Sequence, residues 1–135
     1  MRWPFFVAAV IIRLATKLIS PVHEVMHALL ATVQGQQVTS MSMDQTWIVG
    51  MNDATLLGAY FVELVLYLVI AIKARPSRLS WFCFGVAHAL VIQAPMSTDF
   101  QYSPGAIGAF ILLWICGIAF GWYRLMGEVR VSPQP

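Results

Sequence analysis

Long apolar runs separated by short polar breaks set the pattern of this chain. The first covers residues 3–34. As one straight helix it would measure about 48 Å at 1.5 Å per residue, well beyond a hydrocarbon core of about 30 Å. Pro21 removes a backbone donor inside this run, so a kink or restart is expected there. The reading is an amphipathic or partly inserted lead-in over residues 3–19, then a helix from Pro21 that Gly35 closes as a C-cap. Residues 54–72, 79–94 and 104–125 form the remaining apolar runs. Pro95 should break the third, and Pro104 suits the first helical position of the fourth. Gly105 with Gly108, and Gly117 with Gly121, are small-residue surfaces that would permit close helix packing.

Residues 36–53 are the only long polar stretch. Val38-Thr39-Ser40-Met41-Ser42-Met43 alternates and is rich in strand-compatible residues. Trp47-Ile48-Val49 can pair back as a second strand, with Asp44-Gln45 near the turn. Two readings are open: an ordinary linking loop, or an edge strand that holds an extended peptide by strand addition.

Composition sharpens the class. Of 135 residues, 59% are hydrophobic and 10% are charged, against about 25% charged in soluble domains. The expectation is an all-α membrane bundle of about four transmembrane helices, with a short β-hairpin-like segment after the first. Residues 1–135 would form one integral, multi-pass domain in the lipid bilayer, with the cell membrane as its expected place. Arg2, Arg13, Lys17, Lys73, Arg75, Arg78, Arg124 and Arg130 are the basic residues, and the breaks at 35–53 and 95–103 hold none. With four spans this distribution puts both termini and the 73–78 loop in the cytoplasm. A net charge of +2, with no basic helix face and no recognisable motif, argues against nucleic acid as a partner. Cys83 and Cys116 lie in apolar runs outside any C-x-x-C pair and read as small hydrophobes. The apolar start resembles a signal peptide, but no small-residue cleavage site follows and Arg13 and Lys17 interrupt it, so it is expected to stay.

One stretch carries chemistry. His23-Glu24-Val25-Met26-His27 is an H-E-x-x-H pattern inside apolar sequence. Residues four apart on a helix share a face, with Cβ atoms about 5–6 Å apart. Two imidazoles at that spacing can share one Zn²⁺ at about 2.0–2.1 Å each. Glu24, adjacent to the pair, can act as general base toward water. The bland alternative is a packed, hydrogen-bonded core histidine. Against it, an acid at the centre of a membrane helix costs about 2.5–3.5 kcal/mol, and three clustered polar groups there need a compensating partner.

A catalytic zinc usually takes a third protein ligand and keeps one open position. Asp99, in the polar break before Pro104, and His88, near the middle of the third run, compete for that place. His88 has helix-to-helix hydrogen bonding as its alternative fate, and Asp99 a turn or N-cap. Glu63, in the middle of the second run, reads as a supporting acid, a polar link between helices or a cavity-facing group.

The sequence resembles the site-2 protease family of intramembrane zinc metalloproteases, closest to a compact bacterial-type branch. His23-Glu24-Val25-Met26-His27-Ala28-Leu29 is similar to that family's H-E-x-G-H-A-L helix. Gly35-Gln36-Gln37-Val38 is similar to the start of the strand that follows it. Ser97-Thr98-Asp99, followed by a helix with Trp114, resembles the branch's late Asp and its Trp-containing helix. Met26 stands where the family usually has Gly, and no Leu-Asp-Gly surrounds Asp99. The resemblance implies that Asp99 joins His23 and His27 on Zn²⁺, that Glu24 is catalytic, and that the substrate is a transmembrane protein. Two rivals are kept. One is an inactive module of the same fold that binds a partner helix. The other is a small metal or proton carrier using His23, His27, Glu63 and His88.

Overall fold

The computed structural model describes residues 2–15, 20–96 and 103–127. Lys17, Asp99, Gln101 and the tail from residue 128 lie outside them. Among the described residues there are five helices and one small sheet: α1 (Trp3–Ala15), α2 (Ser20–Val33), β1 (Gln37–Met41), β2 (Thr46–Val49), α3 (Asp53–Lys73), α4 (Arg78–Met96) and α5 (Pro104–Met126).

The first apolar run is therefore two helices, and Pro21 lies in the first turn of the second, where its missing N–H costs nothing. Gly35 ends that helix with a φ of 69°, a left-handed value that glycine adopts without a Cβ clash. The Gln36 N–H reaches back to the Ala31 carbonyl, closing the turn. β1 and β2 then pair antiparallel, Val38 opposite Ile48 and Met41 opposite Thr46, with an irregularity between Val38 and Ser40. The turn is held by the Ser42 N–H on the Gln45 carbonyl, so Asp44 and Gln45 sit where the alternation put them. Asn52 caps α3 by accepting from the Thr55 N–H, and Ser103 caps α5 by accepting from Ala106. α4 runs through Pro95 and stops at Met96. The proline thus ends the helix within its last turn rather than before it.

Against the expected four or so spans, two to three helices among the described residues are long and apolar enough to cross a membrane. α3 and α5 are long and apolar enough to cross a membrane, and α1 with α2, bent by 65°, makes a third if counted as one broken span. In α4, helical over Arg78–Met96, the described side chains make a shorter apolar stretch, Arg78–Ala94.

α3 is the central element. It packs against α2, α4 and α5, while α1 lies across α4. Tyr60, Leu64, Tyr67 and Leu68 of α3 form the core with Phe84, Val86 and Leu90 of α4 and Phe110 and Ile118 of α5. α5 turns Leu112, Leu113, Ile115 and Phe120 outward, an apolar surface suited to lipid. Of the two expected small-residue surfaces, only one is used. A Cβ at Gly117 would sit 3.0 Å from Leu68 and one at Gly121 2.5 Å from Phe84, whereas Gly105 and Gly108 have nothing within 4 Å. The early pair lies on the exposed face of α5, while Ala106 and Phe110 of the same turns face the core.

Arg13 bears on the orientation expected from the basic residues. Counted above as an orienting charge, it is 1% exposed. It therefore marks no membrane face, and its charge is answered inside the bundle.

Candidate metal centre

His23, Glu24 and His27 project from the buried side of α2 at 5%, 7% and 8% exposure. Their helical spacing brings the two imidazoles edge to face, with ring centroids 4.4 Å apart and planes at 80°. The Tyr60 ring closes over His23 at 4.1 Å.

Each histidine is fixed through its Nδ1. His27 Nδ1 lies 3.1 Å from the Thr55 carbonyl oxygen. A carbonyl only accepts, so this nitrogen carries the hydrogen. His23 Nδ1 lies 2.8 Å from Glu63 Oε2, and the same oxygen is 3.3 Å from the Arg13 guanidinium. Paired with arginine, Glu63 is a carboxylate, which also only accepts. Both rings therefore carry hydrogen on Nδ1 and, when neutral, a bare lone pair on Nε2.

Those two Nε2 atoms face each other at 2.9 Å. Two lone pairs at that distance repel, so a cation belongs between them, either a proton or a metal ion. Two nitrogens on a tetrahedral zinc, each about 2.0–2.1 Å away, stand about 3.3 Å apart. A few tenths of an ångström of ring rotation bridge the difference. The donor set also fits: metal-bound histidines almost always give their second N–H to a carboxylate or a backbone carbonyl, and here one does each. His23 and His27 thus suit zinc as ligands.

Glu24 lies one residue from His23 on the same turn. The Thr46 hydroxyl donates to the Glu24 backbone carbonyl at 3.3 Å, which seats the start of β2 beside the motif. The hairpin is thus not a detached linker. Around Thr55, Gln34 and Gln36 hydrogen-bond its hydroxyl at 2.9 and 2.6 Å, and Asn52 bonds Gln34. This network anchors the first turn of α3, where the carbonyl that orients His27 is found.

His88 does not join the pair. Its Nδ1 donates to the Phe84 carbonyl at 2.8 Å, and its Nε2 accepts from the Trp122 indole at 3.1 Å. Phe6, Phe84 and Trp122 surround the ring. With both nitrogens engaged it offers no lone pair, which removes it as a third ligand and from the carrier set. Asp99 lies outside the described residues. Among the described residues no group of three His, Cys, Asp or Glu side chains stands together for a metal.

Sequence reasoning missed Arg13 as part of this site and left the role of Glu63 open. The signal was present in both: a full charge inside an apolar run. Thr55 gave none, because it acts through its backbone. No family model, curated protein or solved structure matches the chain.

Proposed function

We propose that the protein is an intramembrane zinc metalloendopeptidase of the site-2 protease type, cutting a peptide bond of a transmembrane protein. The observation that carries this reading is the pair of Nε2 atoms facing at 2.9 Å with both Nδ1 positions committed elsewhere. His23 and His27 are the zinc ligands, and Asp99 is the third. Ser103, four residues after Asp99, is hydrogen-bonded to Asp53 at 2.8 Å, in the same first turn of α3 as Thr55, whose carbonyl holds His27.

When bound, zinc supplies a Lewis acid that polarises a peptide carbonyl and acidifies water. Glu24 takes a proton from the attacking water and delivers it to the leaving amine. Its burial on the motif helix keeps it close to the reacting carbonyl. The substrate helix unwinds locally so that its backbone reaches the metal, and the β1–β2 hairpin, seated on the Glu24 turn, holds the unwound strand. A multi-pass place in the cell membrane belongs to the same reading.

The test is Glu24→Gln. It should retain zinc and lose cleavage of a helical membrane substrate, because the amide cannot accept the proton. Undiminished cleavage by this variant would end the assignment. Zinc-free wild-type protein would instead favour an inactive module that binds a partner helix.

A further inference from the structure

Resting on that reading of the metal centre, the geometry points to a further function for two charges that the reaction does not consume: Arg13 of α1 and Glu63 of α3 are positioning residues that hold His23 with its Nε2 lone pair turned toward the metal.

The two side chains are fully enclosed, at 1% and 0% exposure. Replacing such a pair with apolar residues of similar volume is often neutral or stabilising, so packing alone gives no reason for it here. Its arrangement does. A single oxygen, Glu63 Oε2, takes both the guanidinium at 3.3 Å and His23 Nδ1 at 2.8 Å. The other oxygen, Oε1, is buried and has no hydrogen-bond partner among the described residues, and Arg13 Nε is likewise unpaired. A bidentate fork would satisfy more of both groups. Instead one carboxylate oxygen serves the histidine, and the arginine meets that same oxygen.

The consequence is directional. A carboxylate on Nδ1 fixes the tautomer, sets the ring plane and increases the electron density at Nε2. His27 receives only a backbone carbonyl at 3.1 Å. The two ligands are therefore unequal, with His23 the stronger donor. Three helices meet in this one chain of contacts: α1 gives Arg13, α3 gives Glu63 and α2 gives His23. The position of α1 thereby reaches the metal without any residue of α1 touching it.

The experiment titrates Co²⁺ into the full chain in detergent micelles and follows affinity and the visible d–d spectrum, with activity left aside. Glu63→Gln should weaken Co²⁺ binding by about 10–100-fold, as loss of such supporting groups does elsewhere, and shift the band. Arg13→Gln should weaken it less, since the carboxylate remains. The double variant Arg13→Gln/Glu63→Gln leaves no lone buried charge, so it guards against unfolding. It should keep wild-type helicity and still show the weak, shifted site. Imidazole nitrogen NMR shifts of the unmutated protein should report hydrogen on His23 Nδ1. Wild-type affinity and spectrum in the folded double variant, or the opposite tautomer, overturns the inference while the metal centre stands. A wild-type chain that binds no Co²⁺ overturns the metal reading and this inference together.

Discussion

Gly85→Ala tests whether the packing of α1 on α4 controls the metal centre. A Cβ at position 85 would run into the Phe6 carbonyl oxygen and lie 2.9 Å from the Ala9 Cβ and 3.2 Å from the Phe6 carbonyl carbon. Two of those atoms are backbone, which cannot rotate away. Contact at about 3.5–4.0 Å is restored only if α1 retreats by about 1 Å. Arg13 lies one turn beyond Ala9 on that helix, 3.3 Å from Glu63. The same retreat strains that contact. Overpacking of this kind costs about 1–3 kcal/mol, measurable by reversible unfolding in mixed micelles. Cobalt titration of the same protein should show several-fold weaker binding, although position 85 touches no ligand. Gly108→Ala is the control: nothing lies within 4 Å of its Cβ. It should hold or gain stability by about 0.5–1 kcal/mol through reduced backbone freedom in the unfolded chain. A Gly85→Ala protein as stable as wild type, with unchanged cobalt affinity, would refute the reasoning.

Two further substitutions separate structure from chemistry. His88→Phe strands the Trp122 indole N–H and should cost about 1–3 kcal/mol of stability, read by the same unfolding assay, while cobalt affinity stays at the wild-type value. Thr46→Val removes the hydroxyl that holds β2 to the Glu24 carbonyl and should cost about 0.5–1.5 kcal/mol. Amide exchange should quicken across residues 37–49, with metal content unchanged.

The parts of this molecule visible in its sequence are those governed by local chemistry. His23 and His27 share a face because a helix repeats every 3.6 residues. Pro21 and Gly35 bracket that helix through a missing donor and a permitted left-handed φ. The hairpin follows from alternation and a polar turn. What was not visible depends on how helices meet. Arg13 and Glu63 lie 50 residues apart and find each other only because α1 and α3 both pack against α4. A charge in an apolar run signals an unmet need but does not say which helix meets it. His88 shows the converse: a histidine at the right depth for a metal is taken up by an indole and a carbonyl. The number of spans was not legible for a related reason. Whether a bent apolar stretch crosses a bilayer once, or enters and returns, depends on helix directions that composition does not encode.

Zinc X-ray absorption on the purified full chain tests the central claim most directly, because it counts the metal and reads its ligands together. The account predicts one zinc per chain, with two imidazole nitrogens at about 2.0–2.1 Å and loss of the metal on His23→Ala or His27→Ala. A chain without zinc, or zinc whose surroundings are the same after both substitutions, would contradict it.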